Sequence, residues 1–105
     1  MTEQDLRIAR ELKRRLLEHA DIVDFRLYGS RARGDAGEAS DMDVFIEVQS
    51  LTPEIKDKIQ DIVWEVGFHN FVVISPLIVS RQELEETPLR SSAIMRNISQ
   101  EGLRV

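Results

Sequence analysis

Asp41 and Asp43, two carboxylates one residue apart, are the side chains of this sequence best suited to chemistry. They open the run Asp41-Met42-Asp43-Val44-Phe45-Ile46-Glu47-Val48, whose β-branched and aromatic residues read as a strand. Side chains two apart in a strand leave from one face, so these carboxylates would stand side by side. Placed so, they repel unless a cation lies between them. Hard oxygen ligands of this kind suit Mg²⁺ or Mn²⁺, which commonly combine one or two carboxylates with phosphate oxygens. By itself such a pair is also what a polar surface turn contains.

A second feature lies upstream. Gly29-Ser30 follows the strand-like stretch Ile22-Val23-Asp24-Phe25-Arg26-Leu27-Tyr28 and opens a short helical turn bounded by Gly34. The start of a helical turn presents free backbone N–H groups and attracts anions. Glycine admits a phosphate close to the backbone, the Ser30 hydroxyl adds a contact, and Arg31 and Arg33 bring positive charge. A tight turn with solvated arginines is the bland alternative. Together, the two features describe a place for a metal-bound phosphate chain.

These groups need elements to hold them. Leu6, Ala9, Leu12, Leu16 and Ala20 keep to one side of a helix over 3–19, with Thr2 as its N-cap. Thr52-Pro53 starts a second helix that runs to about Val66, with Gly67 as the stop signal. The apolar run 71–79 predicts a central strand covered on both faces, with Pro76 marking a bulge or strand end. A short helix over 81–86 and a last one over 89–101, closed by Gly102, complete the order. The expectation is one α+β domain over 1–105, a small mixed β-sheet with flanking helices.

Composition narrows the classes. Apolar residues make up 42% and charged residues 31%, ordinary for a globular domain. No apolar run approaches the roughly 20 residues of a bilayer span, and the charged N-terminus lacks a signal-peptide core. Cysteine is absent, which removes disulfides and thiolate metal sites. No membrane association and a cytoplasmic location are expected. A net charge of −5 argues against direct nucleic-acid binding, which favours a basic face. The charge is uneven, with eight Lys/Arg against six Asp/Glu in 1–33 and two against eight in 34–61.

The spacing joins the two features. Gly29-Ser30, ten residues, then Asp41-x-Asp43 resembles the signature of the DNA polymerase beta-like nucleotidyltransferase superfamily. The stretch Tyr28-Gly-Ser-Arg-Ala-Arg-Gly-Asp35…Ser40-Asp-Met-Asp-Val-Phe-Ile46 is similar to its minimal nucleotidyltransferase branch. Those are small prokaryotic proteins, many of them antitoxins paired with an all-helical HEPN partner. The resemblance implies the polymerase beta-like fold, with Gly29 and Ser30 on the β- and γ-phosphates of a nucleoside triphosphate, ATP being the expected one. Arg31 and Arg33 would lie beside them, and Asp41 and Asp43 would hold Mg²⁺ or Mn²⁺ as the catalytic carboxylates. It further implies transfer of a nucleoside monophosphate, AMP by expectation, with release of pyrophosphate. A HEPN-type protein or a second copy of the chain is the expected partner.

One departure stands out. The family pattern places a third carboxylate on the next core strand, and residues 71–79 contain none. Glu47 shares the face of Asp41 and Asp43 but lies four residues on, roughly 13 Å beyond Asp43. The rival to an active transferase is therefore a nucleotide-binding module that masks a partner. His19 and His69 have no partner at metal-ligand spacing, and Tyr28 reads as packing. Trp64 points away from the face of Ile55, Ile59, Ile62, Val63 and Val66, so it either contacts a partner or lies under a terminal helix.

Overall fold

The computed structural model describes residues 1–37 and 39–105; the sequence reads Asp35 to Ser40 as a polar loop, and Glu38 within it lies outside the described residues. The elements are α1 (Glu3–Leu17), β1 (Ile22–Tyr28), α2 (Gly29–Arg33), β2 (Met42–Val48), α3 (Pro53–His69), β3 (Ile74–Ser80), α4 (Arg81–Glu86), a 3₁₀ turn (Pro88–Ser91), α5 (Ala93–Glu101) and β4 (Leu103–Arg104). The sheet order is β3-β2-β1-β4. β1 runs antiparallel to β2 and β4, while β2 and β3 are parallel, so the sheet is mixed as expected.

Side-chain alternation divides the sheet into two faces. Phe25 and Leu27 of β1 and Met42, Val44, Ile46 and Val48 of β2 pack against α1 and α3 in the main core. From α1 come Ile8, Ala9, Leu12 and Leu16, and from α3 come Ile59, Ile62, Val63 and Val66. On the opposite face Phe45 and Val79 meet Leu84, Met95 and Ile98 of α4 and α5 in a smaller cluster. Four helices begin at a hydroxyl: Thr2, Thr52, Ser80 and Ser92 each accept the backbone N–H of the third helical residue, satisfying a donor the helix cannot.

The strand over 71–79, the Gly67 stop and the last helix over 89–101 are corrected, and β4 has no sequence reading. The last helix begins only at Ala93, after the separate turn Pro88–Ser91. β3 is an edge strand starting at Ile74, not a central strand over 71–79, and Phe71 is 98% exposed with φ 56°. Apolar content misled here, because the exposed Phe71 and Val73 belong to the connection before the strand. Gly67 does not stop α3, which continues to His69. A Cβ at Gly67 would lie 2.7 Å from the Val72 carbonyl, and Val72 N–H donates to the Gly67 carbonyl at 3.0 Å. Glycine serves there to let the returning chain cross the helix closely. β4, two residues pairing with Arg26 and Leu27, is too short to show a period of two.

Trp64 has no terminal helix over it. It is 67% exposed and stacks on Phe68, ring centroids 5.1 Å apart. Trp64→Ala should therefore cost less than about 1 kcal/mol in a urea titration, against roughly 3–5 kcal/mol for a buried aromatic.

One buried charge pair ties α1 to α2. Asp5, 4% exposed, accepts from Arg31 at 2.6 Å and closes the capping box with Thr2. Burial works to raise the Asp5 carboxyl, but the bonds from Arg31 and from Thr2 outweigh it and hold the group below the ordinary range. A depressed carboxylate contributes stability that is complete above its unfolded value of about 3.9 and is lost as pH falls through its folded value. Asp5→Asn should cost about 1–3 kcal/mol near neutral pH, the scale of a charged hydrogen bond. The two chains should converge in urea melts carried down to about pH 2.

Candidate active site

The site is built on the end of the β1–β2 pair. Tyr28 closes β1 and lies opposite Asp43 in the antiparallel register. Directly after Tyr28 the chain turns at Gly29, φ 75°, into α2, which ends at Gly34, φ 83°. Both angles lie in the left-handed region that favours glycine. Gly29 has a second reason to lack a side chain: its Cβ would overlap Oδ2 of Asp43. The carboxylate thus occupies the space a side chain would fill, within a few ångströms of the turn that opens α2.

The start of that turn differs from the other helix starts. Its N-cap residue, Tyr28, makes no side-chain hydrogen bond to it. Gly29 and Ser30 therefore lead a turn whose first N–H groups receive no hydroxyl cap. The Ser30 carbonyl accepts from Gly34 and Asp35 at 3.0 and 3.1 Å, closing the turn. Asp41 is exposed just before β2, and Asp43 is half-buried within it. Burial pushes the Asp43 carboxyl up, the Asp41 charge pushes the same way, and Arg33 opposes both. A cation beside the pair would favour the charged form of Asp43.

The two arginines diverge. Arg33, 45% exposed, donates to Asp35 at 3.2 Å and to Glu101 of α5 at 3.3 Å, and its charge reaches Asp43. Arg31 is turned the other way, with its guanidinium on Asp5 and on the Ser40 carbonyl. The structure thus brings Gly29, Ser30, Asp41, Asp43 and Arg33 to one end of the sheet, and directs Arg31 toward α1. Tyr28 packs beside Phe45, as read from the sequence; burial and then the Asp43 charge raise its hydroxyl. A cavity of about 420 Å³ lined by Thr2, Asp5, Arg31, Gly34 and Phe71 includes neither carboxylate of the pair.

Two groups escaped the sequence reading. Asp5 was signalled only by its place in Thr2-x-x-Asp5, a capping-box spacing that says nothing of Arg31. Glu101, the partner of Arg33, carried no signal because 68 residues separate them.

The third position is also explicit. In the parallel ladder Asp43 lies beside Ser75, so both leave the same face, and Ser75 is exposed. β3 carries no acid. Glu47 lies farther down the sheet beside Asp24 and 3.9 Å from Arg81. Among the described residues no group of three or more metal-ligating side chains is formed. Two carboxylates are the number Mg²⁺ uses with substrate phosphates, so the residues present fit such an ion.

The sequence matches the nucleotidyltransferase domain family over residues 7–101. The chain belongs to that family. It is also 34% identical over 67 residues to a Methanocaldococcus jannaschii protein provisionally named a protein adenylyltransferase. The match covers 61% of this chain and 46% of that relative, so the nucleotidyltransferase chain spans under half its length. Two solved structures share the fold. One is a toxin–antitoxin crystallised with AMP-PNP, with TM-score 0.60 and 13% identity over 98% of this chain and 72% of that one. The other, from Sulfolobus solfataricus, is provisionally named a nucleotidyltransferase, with TM-score 0.53 and 16% identity over 97% and 82%. The α+β fold read from the sequence is thus the nucleotidyltransferase fold. Among the described residues, no helix is long and apolar enough to cross a membrane.

Gly29→Ala tests the packing of the site directly. Left-handed backbone costs an alanine about 1–2 kcal/mol, and its methyl must displace the Asp43 carboxylate. A urea titration should show that loss, and the Asp43 carboxyl resonance should shift in NMR.

Proposed function

We propose that this nucleotidyltransferase domain binds a magnesium-bound nucleoside triphosphate, ATP by preference, and transfers its nucleoside monophosphate to a hydroxyl. The observation that carries the reading is the seating of Asp43 against Gly29, which supports treating the carboxylate pair and the turn as one site. Asp41 and Asp43 hold the divalent cation, Mg²⁺ or Mn²⁺, which when bound neutralises phosphate charge. Gly29 and Ser30 present backbone N–H groups and a hydroxyl to the terminal phosphates, and Arg33 adds a positive charge at the rim. In the transfer, the acceptor oxygen forms a bond to the α-phosphorus as the bond to the β-phosphate oxygen breaks, and pyrophosphate leaves. The acceptor's proton passes to a base. Positioning and charge stabilisation supply most of the acceleration in such a reaction.

The neighbouring names support the finer reading. A relative named a protein adenylyltransferase and a toxin–antitoxin with AMP-PNP fit AMP transfer to a protein partner, of HEPN type by resemblance. A second reading has its own observation. Ser75 stands where an acid beside Asp43 would take the acceptor's proton, which favours a nucleotide-binding module that masks its partner. The two readings share the binding step and differ in turnover.

Calorimetry should show ATP and Mg²⁺ binding together and each poorly alone. Asp43→Asn should remove most of the metal-dependent affinity, and Ser30→Ala a smaller share. The domain should transfer AMP slowly, measured by mass spectrometry of the acceptor with labelled ATP. Ser75→Asp should raise the rate, with about 10²–10⁴-fold as the full range of general-base catalysis. Unchanged binding by Asp43→Asn would overturn the site, and fast transfer by the unmodified chain would overturn the weight given to Ser75.

A further inference from the structure

We propose that Arg31 is a positioning residue for Asp41, the middle of an Asp5–Arg31–Ser40 chain that fixes where this carboxylate meets the cation. The inference rests on reading Asp41 and Asp43 as the cation ligands. β2 begins only at Met42, so Asp41 itself belongs to no regular element. Its place depends on the peptide groups at either side. Downstream, Met42 N–H donates to the Val73 carbonyl at 2.8 Å. Upstream, the Ser40 carbonyl accepts from Arg31 Nε at 3.0 Å and Nη2 at 2.6 Å. Ser40 also exchanges bonds with Gly37, its N–H to the Gly37 carbonyl and its Oγ from the Gly37 N–H, each at 3.1 Å. The Asp41 backbone is thus held from both ends while its side chain stays exposed.

The rest of the guanidinium is anchored in turn. Arg31 Nη1 donates to Asp5 Oδ1 at 2.6 Å, and the two side chains are 13% and 5% exposed. Asp5 Oδ2 accepts from Thr2 N–H at 3.3 Å, so one carboxylate serves the α1 cap and the guanidinium together. Withdrawing Arg31 toward a phosphate would leave the Asp5 charge buried without it, a costly state. The arrangement also explains arginine rather than lysine. Only a planar fork puts two nitrogens on one carbonyl and a third on a carboxylate; an ammonium cannot span both with that geometry. Partners of this sort, one step removed from a metal ligand, typically alter metal affinity about 10–100-fold.

The test uses the full chain with Mn²⁺ and ATP as probes. Bound Mn²⁺ is read by electron paramagnetic resonance, and exchange of the 40–42 amides by NMR or mass spectrometry. Asp5→Asn and Arg31→Lys should each weaken Mn²⁺ about tenfold or more and speed that exchange. The double variant should lose little more than either single, since both break one chain. Thr52→Ala, which removes the equivalent hydroxyl cap of α3 and contacts no member of the Asp5–Arg31–Ser40 chain, should leave Mn²⁺ affinity unchanged. If Asp5→Asn melts below the assay temperature, Arg31→Lys, with the Asp5 charge still compensated, carries the comparison. Unchanged Mn²⁺ affinity in both variants overturns the inference. So does a weakening of metal-free ATP as large as that of Mn²⁺–ATP, because that marks Arg31 as a phosphate ligand. Failure of the underlying reading looks different: the unmodified chain and Asp43→Asn would bind Mn²⁺ equally poorly, and the inference falls with it.

Discussion

The antiparallel register of β1 and β2 is the constraint on which the site depends. It sets Tyr28 opposite Asp43 and therefore lays the Gly29 turn against that carboxylate. The electrostatics of the site work against this placement on balance: burial and the Asp41 charge disfavour the Asp43 anion by more than Arg33 favours it. Like charges in close range near a protein surface repel by about 1–4 kcal/mol. The opposing contribution comes from the other side of the strand. Met42, Val44, Ile46 and Val48 are all fully buried, and each contributes about 1.5–3 kcal/mol as an upper estimate. A slip of one residue would turn all four to the opposite face and Asp43 into the core. Hydrophobic packing wins by its size, and the carboxylate pair is carried on its back face.

The α2 turn links that strand pair to both helical layers. Residues two apart on a helical turn point in nearly opposite directions, about 200° around the axis. Arg31 accordingly reaches Asp5 in α1, which packs on the main-core face, while Arg33 reaches Glu101 in α5 on the other. A five-residue turn has too little of its own hydrogen bonding to hold a position, and its residues include none that are buried. The alternating arginines supply that hold from two sides. The same alternation separates their roles, since only the Arg33 charge acts on Asp43.

Much of this was legible in the sequence, and the divide follows the range of the interaction. Caps, periods and glycine turns are local. Thr2, Thr52-Pro53, the stripe of Leu12 and Leu16 and the strand at β2 therefore read correctly. The joint placement of Gly29, Ser30, Asp41 and Asp43 was legible because one turn and two paired strands contain it. Strand order was not, because it depends on which surface α3 leaves for the returning chain. An apolar run such as 71–79 suits a central strand or an edge strand with an exposed approach equally well. Gly67 misled for a related reason: a stop signal and a close crossing both call for glycine, and only the Val72 carbonyl distinguishes them. The divergence of Arg31 and Arg33 required Asp5 and Glu101, which lie 26 and 68 residues away.

The edge position of β3 explains how the third carboxylate can be absent without disturbing the rest. Met42 N–H bonds to the Val73 carbonyl, so in a parallel ladder residues 73, 75 and 77 address β2 while 74, 76 and 78 turn their backbone outward. Pro76 falls on the outward set, where its missing N–H removes no ladder bond and hinders another strand from adding to the edge. Ser75 falls on the inward set, and its exposed side chain stands on the face of Asp43. Among the described residues, none of the hydrogen bonds given above for Gly34, Met42 or Arg31 passes through that side chain. The parts proposed to gather a cation and a phosphate chain therefore rest on β1, α2, β2 and α1. The part that would take a proton rests on a separate strand at the rim. Because β3 supports β2 through its backbone and not through the Ser75 side chain, a serine at that position leaves the proposed binding geometry whole while removing the nearest place for a base.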